Sequence, residues 1–284
     1  MAGTQRSILI TGCSSGIGEA AARRMRERGW RVFATARGEV DVARLADEGF
    51  EALQLDLADS ASIRRAVDAV LERTGGTLDA LFNNGAYGQP GAVEDLTREV
   101  LREQLETNLL GTHELTCLVL PAMRAQGHGR IVHNSSILGF AALPYRGAYN
   151  CSKFALEGLA DTLRLELHGS GIHVSLIEPG PIATRFRDNA YAAYERHIDS
   201  EASAHSAIYR VLERRLRGEA GKTPFTLPAD AVVDKLVHAL DSRRPRARYY
   251  VTFPTHLFGF LKRILPTRWM DWVLLRSTAR ERKE

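Results

Sequence analysis

Tyr149 and Lys153 lie four residues apart and are the two side chains whose types and spacing best suit chemistry. On a helix, side chains at positions i and i+4 share one face, so a phenol would lie beside an ammonium group. The positive charge favours the phenolate and lowers a phenol pKa that starts near ~10. Such a pair is an acid and base able to work near neutral pH. The same spacing also occurs on solvated helix edges, so the pair alone does not decide a function.

A glycine-rich turn follows the first apolar run of the chain. Residues 7–11 form a short β-branched run typical of a buried parallel strand, and an evident helix follows the glycines. Glycines permit a tight turn, and the helix N-terminus offers unpaired N–H groups to a pyrophosphate. An ordinary strand-to-helix turn also favours Gly and Ser, but the order of strand, glycines and helix favours phosphate binding. The residues of this turn are Thr11, Gly12, Ser14, Ser15, Gly16, Ile17 and Gly18.

The end of the second predicted strand, residues 31–37, bears on the choice of nucleotide. A carboxylate there would bind an adenosine ribose 2′-hydroxyl, whereas a basic residue favours a 2′-phosphate. The strand ends in Arg37 with no acid beside it, which predicts NADP(H) in preference to NAD(H). The alternative is that Arg37 is only a surface charge, and Glu39 and Asp41 keep NAD(H) open.

Polar residues also follow the later predicted strands, where ligands bind in open parallel sheets. Residues 54–57 look like the end of a third strand, and Asp56 there could accept from an adenine amino group, cap the next helix, or do both. Apolar runs precede residues 83–86 and Ser136, and the Ser136 hydroxyl could donate to a substrate oxygen as charge develops on it. A further strand stops sharply after residue 178.

These motifs, in order over about residues 6–185, resemble the short-chain dehydrogenase/reductase family, which combines a Thr-Gly-x-x-x-Gly-x-Gly loop with a Tyr-x-x-x-Lys pair. The resemblance implies an α/β fold with a doubly wound, Rossmann-type parallel sheet and helices on both faces. It also implies a tetrad. Tyr149 would be the general acid/base, Lys153 would lower its pKa and hold the nicotinamide ribose, Ser136 would polarise the substrate carbonyl, and Asn108 would hold a water relaying protons to Lys153.

The resemblance also implies further cofactor contacts, with two departures from the family pattern. The family commonly has Asn-Asn-Ala-Gly after the fourth strand, whereas residues 83–86 of this chain are Asn-Asn-Gly-Ala, with the two small residues exchanged. In addition, His133 stands where many members carry Asn. We expect His133 to be a hydrogen-bonded core residue. The segment from Pro179 would cover the nicotinamide, with Thr184 near its carboxamide. The implied contacts are Leu57, Asn84, Gly85, Ala86, Pro179, Gly180, Ile182 and Thr184.

One domain accounts for 284 residues of which 44% are hydrophobic. We expect a catalytic domain over residues 1–252, with a substrate lid at 185–227, and a basic amphipathic extension over 253–284. The odd number of cysteines, the first strand within ten residues of Met1 and the lack of a ~20-residue apolar stretch predict a cytoplasmic protein without a signal peptide. Helices predicted over 101–122 and 149–168 correspond to those that pair in family dimers and tetramers.

The predicted lid suggests a bulky apolar substrate. It carries Phe186, Tyr191, Tyr194, Ile208 and Tyr209, although a surface helix pair covering the core would carry them too. The features most resemble the hydroxysteroid and retinol dehydrogenase branches, whose substrates are steroids, retinoids or long-chain lipids. The alternatives are a 3-oxoacyl-thioester (acyl-carrier) reductase and, in another class, a non-catalytic NADP-binding regulator.

The C-terminal segment is strongly basic. Residues 243–284 contain 11 Lys and Arg and 3 acids, a charge of +8 in a chain of +4, which leaves −4 on the rest. Aromatic and leucine residues alternate with these charges, as in an interfacial membrane anchor. A segment that covers the substrate mouth or contacts a neighbouring subunit is the alternative, and no nucleic-acid-binding motif accompanies the basic residues.

Overall fold

The fold is built on one parallel sheet of seven strands. The computed structural model describes residues 5–219 and 223–279, so parts of the predicted domain, lid and extension (1–4, 220–222 and 280–284) lie outside the described residues. The strands are β1 (Ser7–Ile10), β2 (Arg31–Ala36), β3 (Glu51–Gln54), β4 (Ala80–Asn83), β5 (Gly129–Asn134), β6 (Ile172–Glu178) and β7 (Arg248–Tyr250). Their order is β3-β2-β1-β4-β5-β6-β7 with parallel pairing throughout. The order reverses between β1 and β4, where ligands bind in such sheets.

Helices cover both faces of the sheet, which confirms the predicted doubly wound fold. Helices α1, α2 and α9 contribute to the core on one face, and α3, α5 and α6 contribute to the core on the other. The helices are α1 (Gly16–Glu27), α2 (Glu39–Asp47), α3 (Ser60–Thr74), α4 (Arg98–Leu105), α5 (Gly111–Gln126), α6 (Gly147–Glu166), α7 (Phe186–His197), α8 (Ser206–Leu216), α9 (Asp230–Asp241), α10 (Phe253–Ile264) and α11 (Thr267–Ser277).

The apolar run of β1 shows why the strands lack polar alternation. Ile8 and Ile10 belong to one core and Leu9 to the other, and all three side chains are fully buried. Successive side chains of a strand point to opposite faces, so a sheet covered on both faces needs apolar residues at every position.

Two predicted elements have different bounds in the structure. The single helix predicted over 101–122 is divided into α4 and α5 by a π-helical turn, Glu106–Leu110, which contains Asn108. Such turns are frequent at functional sites. The third strand ends at Gln54, so residues 55–57 lie beyond it, and the Asp56 N–H donates to the Ser62 hydroxyl of α3.

The C-terminal helices α10 and α11 pack onto the segment that follows β5. Phe258, Met270 and Leu274 form a buried apolar cluster with Ile137 and Ala141. In the part of the chain that the structure describes, no helix has the length and apolar character needed to cross a membrane.

Helix α5 begins in close contact with the loop after β3. A Cβ atom on Gly111 would lie 1.8 Å from the Leu57 carbonyl oxygen and 3.0 Å from its Cα. Both are backbone atoms, so they cannot move aside as a flexible side chain would. Gly111 therefore allows the π-helical turn to approach the edge of the sheet.

We predict that Gly111→Ala lowers the free energy of unfolding by more than about 2 kcal/mol, because the added methyl group must displace backbone. The matched control is Gly158→Ala at an exposed position of α6, where a Cβ atom would meet nothing within 4 Å. The control should stabilise the protein by about 0.5–1 kcal/mol through helix propensity. Urea unfolding followed by circular dichroism measures both, and equal effects of the two substitutions would contradict the close contact.

Candidate active site

Lys153 fixes helix α6 to the end of strand β5. Its ammonium group donates a hydrogen bond to the Asn134 carbonyl at 2.7 Å, and the residue is only 3% exposed. Its Nζ atom lies 5.6 Å from the centroid of the Tyr149 ring. The structure therefore places the phenol and the ammonium group side by side at the carboxyl edge of the sheet, as the spacing of the two residues predicts.

Ser136 faces Tyr149 from the end of β5. The Ser136 hydroxyl lies near enough to the phenol to lower its pKa, and the Ser136 Oγ atom accepts from the Leu138 N–H at 3.1 Å. Ser136 caps the short 3₁₀ turn Ile137–Gly139, which limits its rotation. A substrate oxygen placed between the hydroxyls of Ser136 and Tyr149 would contact both.

Asn108 links the π-helical turn to helix α6. Its amide donates to the Tyr87 carbonyl at 2.8 Å and to the Ser152 hydroxyl at 3.2 Å, and its oxygen accepts from the Tyr87 N–H at 3.2 Å. The Ser152 hydroxyl in turn donates to the Tyr149 carbonyl at 2.8 Å. The Asn108 side chain is thus used to position α6, and the water that it is expected to hold stays a prediction.

Burial dominates the ionisation of the tyrosine and lysine. It raises the pKa of Tyr149 above its ordinary value, and the nearby Ser136 hydroxyl opposes this shift. Burial also lowers the pKa of Lys153 to about 8, while the nearby charge of Glu157 opposes the change. The net shift of Tyr149 is opposite to the lowering expected from the sequence, because removal from water disfavours both charged forms. At neutral pH the phenol is protonated, which is the form that can give a proton.

The glycine-rich turn makes a close contact with the end of β4. The Thr11 hydroxyl accepts hydrogen bonds from the N–H groups of Asn84 at 2.9 Å and Gly85 at 2.8 Å. Gly12 has a φ of +71°, and a Cβ atom there would lie 2.9 Å from the Gly85 Cα. A Cβ atom on Gly18 would lie 2.1 Å from the Gly12 oxygen. These glycines leave a backbone cradle that larger residues would fill.

The N-terminus of α1 opens into this cradle. Ser15 occupies the N-cap position without making a side-chain capping bond, so its hydroxyl does not satisfy the first-turn N–H groups. Arg44 donates to the Ser14 carbonyl at 2.8 Å and fixes the turn from the side. A Cβ atom on Gly16 would lie 3.0 Å from the Thr184 Cβ, so the segment after β6 reaches the glycine-rich turn. This arrangement fits the pyrophosphate of a dinucleotide.

Because the two small residues at positions 85 and 86 are exchanged relative to the family pattern, a glycine follows β4 at the point where the chain contacts the end of β1. A Cβ atom on Gly85 would come within 3.1 Å of Leu57 Cδ1 and 3.3 Å of the Thr11 hydroxyl. Ala86 lies one residue further along and is partly exposed. His133 is buried and its Nδ1 atom lies 3.2 Å from the Asn83 amide, which confirms its expected role as a hydrogen-bonded core residue.

Arg37 and Asp56 lie at neighbouring strand ends. Arg37 directly follows β2 and is exposed, and its guanidinium makes no ion pair or hydrogen bond with residues 5–219 or 223–279. Asp56 accepts from the Ala58 N–H at 2.9 Å and is partly buried. The alternative that Asp56 caps α3 is wrong, because Asp59 occupies that position and accepts from the Ala61 N–H.

The segment after β6 is held on both sides. The Pro179 carbonyl accepts from the Ile137 N–H at 2.8 Å, and a Cβ atom on Gly180 would lie 2.1 Å from the Thr252 hydroxyl. Ile182 forms a parallel bridge with Leu227. The segment expected to cover the nicotinamide is therefore fixed between the residues after Ser136 and the start of α10.

Phe186 is the residue of the predicted lid segment that contacts the Tyr149 ring. Its ring packs edge-on against Tyr149 with the centroids 5.4 Å apart, and a Cβ atom on Gly88 would lie 2.8 Å from the Phe186 Cζ. The sequence identifies Phe186 only as one of several lid residues, because nothing in its spacing relates it to Tyr149.

The other lid aromatics do not line the site as a group. Tyr194 and Tyr209 are buried in a separate apolar cluster formed by α7 and α8. The Tyr209 hydroxyl donates to Asp95 and accepts from the Ala92 N–H. These two tyrosines therefore stabilise the packing of α7 on α8, and the bulky apolar substrate stays a prediction. Tyr191 stacks on Tyr194 at the edge of the same cluster.

A buried carboxylate cluster lies one helical turn beyond Lys153, and sequence reasoning missed it. Arg248 on β7 donates to Glu157 at 2.7 Å, to Asp161 at 2.8 Å and to Glu178 at 3.1 Å. Burial and the nearness of Glu157 raise the pKa of Glu178, whereas hydrogen bonding to Arg248 lowers the pKa of Asp161 to about 2. The spacing of Tyr149, Lys153, Glu157 and Asp161, each four residues apart, is the sequence signal that could have found it.

We predict that the cluster gives stability a pH dependence that two substitutions separate. The raised pKa of Glu178 means that its stabilising effect is present below the ordinary carboxyl pKa and is lost as the pH rises. Glu178→Gln cannot titrate, so its melting temperature relative to the natural protein should rise between about pH 5 and about pH 9. Scanning fluorimetry over this range measures the difference.

The matched control is Asp161→Asn, whose effect has the opposite sign. The lowered pKa of Asp161 means that its stabilising effect is present above the ordinary carboxyl pKa and is lost as the pH falls through about 2. This variant should be less stable than the natural protein throughout the neutral range. Parallel pH profiles of the two variants would refute the assignment of opposite shifts.

Comparison with known proteins agrees with this geometry. The chain is 43% identical to an uncharacterized oxidoreductase, YbbO, of Escherichia coli over 95% of this chain and 94% of that protein. It is 33% identical to human 17-beta-hydroxysteroid dehydrogenase type 1 over 86% of this chain and 77% of that protein. A crystal structure of a short chain dehydrogenase/reductase from Burkholderia phymatum in complex with NAD superposes with a TM-score of 0.76 at 26% identity, covering 92% of each chain. The short chain dehydrogenase family model matches residues 6–195, and the protein is therefore an oxidoreductase of the short-chain dehydrogenase/reductase family.

Proposed function

We propose that the protein interconverts an alcohol and a ketone or aldehyde on a bulky apolar substrate, with NADP(H) as its cofactor. The observation that carries the proposal is the placement of Tyr149 beside the buried Lys153 and near Ser136, at the same sheet edge as the glycine cradle. The proton donor Tyr149, the charge-stabilising hydroxyl of Ser136 and the proposed pyrophosphate site therefore lie at one edge of the sheet, where the strand order reverses.

Each residue has a defined part in the reaction. A bound nicotinamide supplies or accepts the hydride. In the reducing direction Tyr149 gives its proton to the carbonyl oxygen, and the Ser136 hydroxyl donates to that oxygen as negative charge develops. Lys153 then supports the tyrosinate through its positive charge, and Asn108 positions α6. In the oxidising direction the tyrosinate takes the alcohol proton.

The preference for NADP(H) rests on Arg37. Its exposed guanidinium has no partner in the described residues, and it follows β2, where a 2′-phosphate would lie. The residues proposed to hold the cofactor are those of the glycine-rich turn with Arg37, Asp56, Leu57, Asn84, Gly85, Ala86, Tyr149, Lys153, Pro179, Gly180, Ile182 and Thr184.

The apolar substrate class rests on the surroundings of the tyrosine. Phe186 covers the Tyr149 ring from one side, and Leu138, Phe140 and Leu143 follow Ser136 with an apolar face shared with α10 and α11. A steroid, retinoid or long-chain lipid carbonyl would bury more apolar surface here than a small polar one.

We also propose that the protein works in the cytoplasm as a homodimer or homotetramer. The three cysteines are free, which suits a reducing compartment. Phe154, Leu159 and Leu165 on the outer side of α6 are exposed large apolar residues, which a second subunit would cover.

We predict that Tyr149→Phe reduces kcat by at least about a hundredfold, because it removes the proton that the carbonyl oxygen needs. Cofactor affinity, measured by quenching of protein fluorescence, should change little. The matched control is Tyr145→Phe, which removes a hydroxyl near His205 and should keep turnover.

Turnover is measured on a panel of steroid, retinoid, long-chain aldehyde and acyl-thioester carbonyls. Substantial turnover by Tyr149→Phe would refute the assignment, and no turnover by the natural protein combined with tight NADPH binding would support a regulator.

We predict that Arg37→Ala weakens NADPH binding about tenfold or more and leaves NADH binding unchanged, because only the 2′-phosphate is lost as a partner. The matched control is Arg98→Ala at the exposed start of α4, which should change neither affinity. Isothermal titration with both cofactors measures the change. Equal losses for NADPH and NADH, or a preference of the natural protein for NADH, would contradict the role of Arg37.

A further inference from the structure

The solvent face of α10 is apolar. Phe253, Leu257, Phe260 and Ile264 lie at helical positions i, i+4, i+7 and i+11, so they form one stripe, and Phe260 is 60% exposed. The opposite side of the helix buries Thr255, Phe258 and Gly259 against the protein. A surface helix of a globular protein ordinarily carries polar residues on the face that points to water.

Helix α11 extends the same kind of surface. Trp269, Trp272 and Leu275 are exposed, with Trp269 at 66%, while Met270 and Leu274 are buried in the cluster beneath. Exposed tryptophans are costly in water, and they are enriched where a protein meets the interface of a bilayer. We name the exposed apolar residues of α10 and α11 the C-terminal surface.

Cations without carboxylate partners border the C-terminal surface. Arg263, Arg268 and Arg276 form no ion pair within residues 5–219 and 223–279, and Arg276 lies over the Trp272 ring at 4.4 Å from its centroid. Elsewhere, arginines such as Arg24, Arg44 and Arg248 contact two or more carboxylates. The only acid from residue 253 to 279 is Asp271.

The C-terminal surface is connected to the active site through the protein. The inner faces of α10 and α11 pack on Ile137 and Ala141, directly after Ser136, and Lys262 donates to the Phe140 carbonyl at 2.5 Å. At the other end, Phe253 stacks on Phe225 in the loop before α9, with the ring centroids 5.2 Å apart. An occupant of the surface would therefore sit beside the proposed substrate site.

We propose that the C-terminal surface docks on an anionic lipid bilayer, with the aromatic and leucine side chains in the interface and the three arginines at the phosphates. Charge decides between a bilayer and a second copy related by two-fold symmetry. A two-fold contact would bring the three arginines of both copies, Arg263, Arg268 and Arg276, into one interface, with one acid per copy within residues 253–279 to offset them. Anionic headgroups pair with all three, and unpaired arginines beside exposed tryptophans fit an interfacial helix.

The test is sedimentation of the full-length protein with vesicles. We expect binding to vesicles of equal parts phosphatidylcholine and phosphatidylglycerol, and much weaker binding to phosphatidylcholine alone. Binding should weaken between about 0.1 M and about 1 M salt, because the Debye length falls from ~10 Å to ~3 Å.

Two double variants test the residues of the surface, and each should reduce partitioning about tenfold or more. One combines Phe260→Asp with Trp272→Asp, and the other combines Arg263→Glu with Arg268→Glu. The matched control, Val40→Asp at an exposed position of α2, should bind as the natural protein does.

The outcomes separate this surface from the proposed catalysis. Turnover on a water-soluble aldehyde should be unchanged in both double variants, since none of the four residues contacts the tetrad. Absence of vesicle binding, or equal and salt-independent binding to both lipid mixtures, would overturn the proposal. So would analytical ultracentrifugation showing a dimer that Phe260→Asp with Trp272→Asp dissociates, because a second copy would then cover the surface.

Discussion

The hydrogen bond from the buried Lys153 ammonium group to the Asn134 carbonyl is the constraint on which the site depends. A buried cation without a partner is strongly destabilising, so the strand end and the helix must keep this contact. The bond fixes α6 against β5, and thereby sets the separation of Tyr149 on the helix from Ser136, two residues after Asn134. Glu157, one turn along α6, supplies a negative charge that favours the protonated lysine.

The cofactor cradle depends on a second close approach, between β1 and β4. Thr11 binds two backbone N–H groups of the β4 end, and the glycines at 12 and 85 let the two backbones come together. Gly111 gives the same freedom to the turn that carries Asn108. Parallel strands end at one edge of the sheet, so these contacts gather residues that are far apart in the chain. The segment after β6 then adds Phe186 beside the Tyr149 ring, while Tyr194 and Tyr209 hold α7 to α8.

The C-terminal helices have two faces with different roles. Their inner face completes the apolar wall after Ser136, and Gly180 allows the start of α10 to pack under the end of β6. Their outer face is apolar and bordered by arginines that form no ion pair with the part of the chain that the structure describes. The sequence leaves open whether these helices cover the substrate mouth or contact a membrane, and the two roles are compatible, because opposite sides of the same helices would serve each.

The sequence by itself determined the glycine-rich turn and the pairing of Tyr149 with Lys153, because these depend on local spacing, whereas the roles of Ser136 and Asn108 are implied by the family resemblance. Apolar runs followed by small polar residues predicted where strands end, and the spacing of i and i+4 on a helix predicted that Tyr149 lies beside Lys153. Only the tertiary structure decided the π-helical turn at Asn108, the contact of Phe186 with Tyr149 and the charge cluster of Glu157, Glu178 and Arg248. It also decided that burial raises the pKa of Tyr149, since ionisation depends on which groups exclude water. These features rest on contacts between residues distant in the chain, and such contacts leave no periodic pattern in the sequence.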